Sequence, residues 1–202
     1  MEKENVFNSF IQDASLFLLG ILFIFFPLVF ITASTNPIIL PKMVLLSAVV
    51  LILLLFYAGL TIKEKIVKIR RTYFDLPVFL FLFFVFLSSI FSVNKADSLM
   101  GFVPFFFAGL IYFIIVNFAK DKNSLLFLMS SLALGAVVVS IFAVFNFFKI
   151  YVIPIATTHT QDFSLMGSYL DQAIYLILIL LTTSYFTWIL IKSNLKSSRS
   201  QP

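Results

Sequence analysis

Cysteine is absent from the 202-residue sequence, and histidine occurs only once. The chain therefore has no disulfide framework, no thiolate nucleophile and no thiolate metal site, and thiols carry no information on its redox compartment. Charged residues are also scarce, at 11% of the sequence, whereas a soluble domain has about 25%. These absences argue against water as the main solvent of this protein.

Apolar residues make up 61% of the sequence, with a mean hydropathy of +1.10. They fall into six runs, each of about the 20 residues that a helix needs to cross roughly 30 Å of hydrocarbon. The runs cover residues 16–32, 43–62, 76–93, 99–118, 125–148 and 169–191. None of them contains Lys or Arg. The sequence therefore predicts an all-α fold, a polytopic bundle of about six transmembrane helices that forms a single domain over residues 1–202 with the lipid bilayer as its partner.

Basic residues predict the orientation, because short basic loops stay on the cytoplasmic side of a membrane. With the N-terminus inside, eleven of the fourteen basic residues lie on the cytoplasmic side. Only Lys42, Lys95 and Lys149 then lie outside. The prediction is a multi-pass protein of the cell (cytoplasmic or inner) membrane with both termini in the cytoplasm. The net charge of +5 fits anionic lipid headgroups beside the apolar runs, so no nucleic-acid partner is expected.

The first run has a second interpretation, as a cleaved signal peptide, because Thr32 and two further small residues follow it. Residues 1–15 carry Glu2, Glu4 and Asp13 against Lys3 alone, and the apolar run exceeds the usual length of 7 to 15 residues. A retained helix is the prediction.

Two ionisable residues are candidates for a catalytic site. His159, in the long outer loop 149–168, could act as a general base or bind a sugar phosphate, or it could be a solvated loop histidine. Asp171 lies beside Gln172 near the outer end of the sixth run, where it is either a functional intramembrane carboxylate or a group that reaches water. Asn117 and Asn146, near the ends of the fourth and fifth runs, are expected to reach the interface.

Other features predict structure rather than chemistry. The segment 63–71 holds five positive residues and is interpreted as a topogenic anchor, with anionic-lipid or lipid-pyrophosphate binding as the alternative. Ser131 and Gly135 have the spacing of small residues that pack closely against a neighbouring helix. Pro27 and Pro104 fall within the first and fourth runs and are expected to kink them.

Known catalytic and nucleotide-binding motifs are missing from the sequence. It has no phosphate-binding glycine loop, no HExxH, no GxSxG and no C-x-x-C. The single histidine has only Asp162 nearby, without a further ligand at metal-binding spacing. No metal site and no cofactor are predicted.

Four longer stretches have an informative order. They are NPIILPK at residues 36–42, the stretch RRTYFDLPVFLFLFFVFLSSIFSVNKADSLMGF that ends at Phe102, AGLIYFIIVNF at 108–118 and FSLMGSYLDQAIYLILIL at 163–180. In this order they resemble the N-terminal part of bacterial O-antigen ligase and O-antigen polymerase family membrane proteins. One departure is that Asp171 and Gln172 stand where many relatives have an asparagine-containing turn.

This resemblance implies a role in cell-surface polysaccharide assembly. Members of the family usually have ten or more membrane helices and transfer a glycan from a polyprenyl-pyrophosphate carrier on the outer face. Their catalytic arginines and histidine lie in later helices and a later outer loop, so the resemblance implies no catalytic residue here. It implies a polyprenyl-linked glycan as ligand, inactivity of the chain alone, and either a truncated product or a partner chain that carries the missing helices.

Two other functions remain as alternatives. Two helix prolines and the six-helix count also suit a small transporter or channel subunit, although few intramembrane polar groups are available to line an aqueous path. A non-catalytic membrane scaffold is the other alternative.

Overall fold

The structure, a computed structural model, describes residues 2–32, 36–64, 69–150 and 164–199. These ranges contain six helices and no strand, which confirms the prediction of an all-α fold. The helices are α1 (Glu2–Phe25), α2 (Ile39–Glu64), α3 (Asp75–Ile90), α4 (Lys95–Phe118), α5 (Lys122–Phe147) and α6 (Tyr169–Arg199).

Four of these helices are long and apolar enough to cross a membrane, judged by length and composition. Their candidate spans are Ile39–Lys63, Lys95–Phe118, Lys122–Phe147 and Tyr169–Lys192. The other two helices contain shorter apolar segments, Ser9–Phe25 and Asp75–Ile90. The sixteen residues of α3 rise about 24 Å, which is less than the roughly 30 Å of a hydrocarbon core.

The first helix ends earlier than its apolar run because proline follows it. Pro27 has no N–H for the helical ladder and its ring disfavours helical geometry in the residue before it. The carbonyl of Phe25 instead accepts hydrogen bonds from the backbone N–H groups of Leu28 and Val29, at 2.9 and 3.1 Å. Pro27 thus lies in the turn after α1, whereas Pro104 lies inside α4 as expected.

The fourth helix begins four residues before its apolar run, because polar residues form its first turn. Asn94 is the N-cap, and its side-chain oxygen accepts a hydrogen bond from the backbone N–H of Asp97. Asp97 adds a negative charge to the first turn, where the helix dipole favours it. The loop between α3 and α4 is therefore only four residues long, residues 91–94.

By the density of their internal contacts, the residues form two compact units. The first comprises Met1–Leu22 and Met43–Leu125, and the second comprises Phe23–Lys42 and Leu126–Pro202.

In the first unit, α3 and α4 form an antiparallel hairpin whose faces meet through aromatic rings. Phe86 lies against Phe102 with ring centroids 5.3 Å apart, and Phe81 meets Phe105 edge to face at 5.8 Å. At the turn, the Ser98 hydroxyl donates to the Ser92 hydroxyl at 2.6 Å.

In the second unit, α5 approaches the end of α1 very closely at Gly135. A Cβ atom at position 135 would lie 2.8 Å from the carbonyl oxygen of Phe23 and 3.4 Å from the Cα of Ile24. Ser131, one turn earlier, is also buried. The prediction of close packing at these two small residues is confirmed.

The hairpin leaves large apolar side chains uncovered. Only Ser89 is buried among the residues of α3, while Phe79 and Phe84 are 65% and 61% exposed. A soluble protein rarely exposes so continuous an apolar surface. Such a surface is what lipid contact requires, and with the four apolar helices it indicates a membrane protein.

Candidate functional site

Asp171 lies in the first turn of α6, where it takes part in a helix cap. The Ser168 hydroxyl accepts a hydrogen bond from the backbone N–H of Asp171 at 3.1 Å and donates to its carboxylate at 2.7 Å. A Ser or Thr three residues before an acidic residue is a common arrangement at helix starts. This geometry accounts for Asp171 structurally, and a catalytic role for it stays a prediction. His159 lies outside the described residues.

A buried lysine lies close to this cap in the second unit. Lys42 is only 7% exposed, and its ammonium donates to the backbone carbonyl of Leu165 at 2.5 Å. The thioether sulfur of Met166 lies 3.5 Å from the same nitrogen. Lysine is almost never this buried without a partner, because removing a charge from water is costly.

The position of Lys42 in its helix increases that cost. Lys42 is in the first turn of α2, where the positive end of the helix dipole disfavours a cation. The Leu165 carbonyl supplies the compensating partner, since a charge-assisted hydrogen bond is stronger than a neutral one. Lys42 therefore connects the start of α2 to the segment before α6.

That segment has its own buried hydrogen bonds. The Ser164 hydroxyl is 1% exposed; it donates to the side-chain oxygen of Gln172 at 2.7 Å and accepts from the Met166 backbone N–H at 3.2 Å. Gly167 follows with φ +106°, a conformation that glycine adopts without strain. We call Lys42, Ser164, Leu165, Met166 and Gln172 the Lys42 cluster. It is polar and buried, and Lys42 carries its charge.

Sequence reasoning counted Lys42 as a cation of an outer loop and did not identify the cluster. The available signal was the local context, because Lys42 has apolar residues or proline for several positions on either side. A loop lysine that only marks the membrane surface does not need such neighbours. Gln172, next to the candidate Asp171, is the buried member of that pair.

A second polar cluster lies at the opposite end of the α3–α4 hairpin from its turn. The Asp75 carboxylate accepts hydrogen bonds from the Thr72 backbone N–H at 2.8 Å, the Thr72 hydroxyl at 2.7 Å and the Tyr112 hydroxyl at 2.7 Å. The Thr72 and Tyr112 hydroxyl oxygens, which both donate to Oδ1 of Asp75, also lie close to each other. We call these three residues the Asp75 cluster; it joins α4 to the loop that enters α3.

Ionisation of Asp75 follows from these bonds. The bonds from the Thr72 side chain and backbone, then the bond from Tyr112, hold the pKa of the Asp75 carboxyl below its ordinary value. Arg71 acts in the same direction through its charge. Asp75 is the first residue of α3, and its carboxylate turns back to Thr72.

Asn117 joins the same loop to the end of α4. Its side-chain oxygen accepts a hydrogen bond from the backbone N–H of Arg70 at 3.1 Å, and its amide nitrogen donates to the Phe113 carbonyl at 2.8 Å. Gln12 donates to the Phe118 carbonyl at 3.1 Å. Asn117 and Asn146 are both buried, so other residues cover their side chains, and their expected position near the interface stays a prediction.

Three grooves follow the hairpin. The largest, about 650 Å³, lies near the turn and includes Ser88, Ser92 and Ser98 among phenylalanine rings. A second, about 330 Å³, is almost entirely apolar. The third, about 310 Å³, begins at Arg70, Asp75 and Tyr112 and continues between apolar side chains. Within the described ranges, no group of three or more His, Asp or Glu residues has the arrangement of a metal site.

Comparison of the chain with models of protein families, with curated proteins and with solved structures finds no match.

Proposed function

We propose that the chain is a multi-pass protein of the bacterial cytoplasmic membrane, with six transmembrane helices and both termini inside. The distribution of charge in the first unit supports this topology. The hydrogen bond between Arg70 and Asn117 brings the basic segment 69–71 close to the end of α4, which Lys120 and Lys122 follow. The other end of the hairpin carries only Lys95. Positive charge concentrated at one end is the pattern of a cytoplasmic face.

Reporter fusions test this topology. Green fluorescent protein joined after residue 71 or 121 is expected to fluoresce, because it folds in the cytoplasm. Alkaline phosphatase joined after residue 94 or 166 is expected to be active, because it folds outside. Activity of the phosphatase after residue 71 would contradict the proposal.

We further propose that the chain takes part in transfer of a polyprenyl-pyrophosphate-linked glycan, as the N-terminal framework of an O-antigen ligase or polymerase type of protein. The observation that carries this proposal is the pairing of the four resembling stretches. Lys42 of the first bonds to Leu165 of the fourth, and Asp75 of the second bonds to Tyr112 of the third. The residues that suggest the family are thus contacts that hold the framework together. No residue of this chain is assigned to catalysis.

Deletion of the gene tests this role. Loss of long-chain surface polysaccharide, with accumulation of the lipid-linked precursor, is the expected result. Complementation with the wild-type chain is expected to restore the polymer. Complementation with the Lys95→Met variant, which changes an exposed lysine, is also expected to restore it. A deletion strain with unchanged polysaccharide and precursor would rule out this function and leave the topology untouched.

A further inference from the structure

The third groove of the hairpin joins two kinds of surface. Its walls are apolar side chains of α3 and α4, among them Val78, Phe113 and Val116. Its polar lining residues are Arg70, Asp75 and Tyr112. A volume of about 310 Å³ is at the lower end of the range for small-ligand sites. An elongated apolar group with a charged end matches this shape.

Gly109 provides the width of the groove. It lines the groove opposite Leu82, and a Cβ atom at position 109 would collide with a methyl group of that leucine. Gly109 thus leaves room for the end of the Leu82 side chain.

The Asp75 carboxylate at the mouth is held in place by hydrogen bonds, and Arg71 acts on it through its charge. Asp75 accepts three hydrogen bonds, two on Oδ1 and one on Oδ2, and a carboxylate has about four lone-pair positions. All three donors are neutral, so the negative charge remains, with one position open on Oδ2. In the part of the chain that the structure describes, neither Arg70 nor Asp75 has an ion-pair partner.

We propose that this groove binds one phospholipid whose headgroup carries both a phosphate and an ammonium with at least one N–H, as phosphatidylethanolamine does. One acyl chain occupies the apolar groove, the Arg70 guanidinium binds the phosphate, and Asp75 accepts a hydrogen bond from the ammonium. The proposal rests on the proposed membrane location and not on glycan transfer.

Headgroup chemistry explains the choice of lipid. A choline headgroup has the same charges but no N–H, so it cannot donate to the open position on Asp75. A glycerol headgroup has no positive charge, so it offers no cation to the Asp75 carboxylate, which would then face the negative charge of the phosphate. Arginine is well suited to the phosphate because its planar fork donates two parallel hydrogen bonds.

Native mass spectrometry of the purified, delipidated full chain tests the proposal with four lipids of identical acyl chains. Phosphatidylethanolamine and its N-methyl and N,N-dimethyl derivatives retain an N–H, and phosphatidylcholine does not. The three lipids with an N–H are expected to bind with similar affinity. The affinity for phosphatidylcholine is expected to be about tenfold lower, which is the effect of losing one hydrogen bond to a charged group. Equal retention of all four, the behaviour of non-specific annular lipid, would overturn the proposal.

Variants locate the site. Asp75→Asn is expected to abolish the preference for phosphatidylethanolamine over phosphatidylcholine, while Asp97→Asn, which changes an acidic residue at the other end of the hairpin, is expected to leave it intact. Val116→Phe fills the groove and is expected to weaken binding of all four lipids.

Retention of the preference by a folded Asp75→Asn chain would also overturn the proposal. If that variant does not fold, the wild-type lipid series decides alone. Neither result depends on glycan transfer.

Discussion

The Gly135→Leu variant is expected to lose more stability than a leucine substitution at Gly59 or Gly101, where a Cβ atom would have no neighbour within 4 Å. The position faces the backbone of Phe23 and Ile24, and a backbone cannot move aside as the end of a flexible side chain can. The leucine must therefore push α5 away from the end of α1. Overpacking of this kind costs about 1–3 kcal/mol, occasionally more. Thermal unfolding in detergent, followed by helical circular dichroism, measures the loss.

Gly59→Leu is the matched control. A Cβ atom at position 59 would have no neighbour within 4 Å, so the larger side chain meets open space. Leucine is also the better helix former by about 0.5–1 kcal/mol, and the control is expected to match or exceed the wild-type unfolding temperature. Equal unfolding temperatures for the two variants would show that the close approach at Gly135 does not limit stability.

The Lys42→Met variant is expected to have the second-largest effect. Methionine preserves most of the length of the side chain but cannot donate to the Leu165 carbonyl, which then stays buried without this partner. A buried polar group without its hydrogen bond costs about 1–3 kcal/mol. For a protein of this size, that corresponds to a fall of roughly 5 °C in unfolding temperature.

Two features make this measurement specific. Lys95→Met removes the same charge from an exposed position and is expected to change the unfolding temperature by less than about 1 °C. Limited proteolysis of the Lys42→Met chain is expected to show faster cleavage near residues 164–168, because Lys42 holds that segment. A Lys42→Met chain with the unfolding temperature and protease resistance of the wild type would show that the buried ammonium makes no net contribution to stability. The hydrogen bond to Leu165 would then only offset the cost of removing the ammonium from water.

The ends of a helix are predicted well from this sequence where they coincide with the ends of an apolar run. The runs 125–148 and 169–191 match the candidate spans of α5 and α6 within about three residues. At other helix ends, a capping residue or a proline moves the boundary away from the end of the apolar run. Asn94 starts α4 early through its cap, and Pro27 ends α1 before its apolar run is complete. Hydropathy records solvent preference and does not include either effect.

The polar clusters could not be predicted from the sequence because their partners are far apart in it. Lys42 and Leu165 are separated by 123 residues, and Asp75 and Tyr112 by 37. The contact from Lys42 is to a backbone carbonyl, which every residue possesses, so the sequence contains no sign of the partner. The cap of Asp171 is different, because its partner Ser168 is only three positions away. Helix packing, which single-sequence patterns do not specify, brings the other pairs together.

Separation along the chain also sets an order for biogenesis. When α2 leaves the ribosome, the carbonyl that will bind Lys42 has not been made, and at typical translation rates it follows on the order of ten seconds later. Until then the ammonium has to stay hydrated at the membrane surface. The start of α2 is thus completed only when the last helix arrives, so an interrupted nascent chain would retain a lysine at the surface that the finished protein buries.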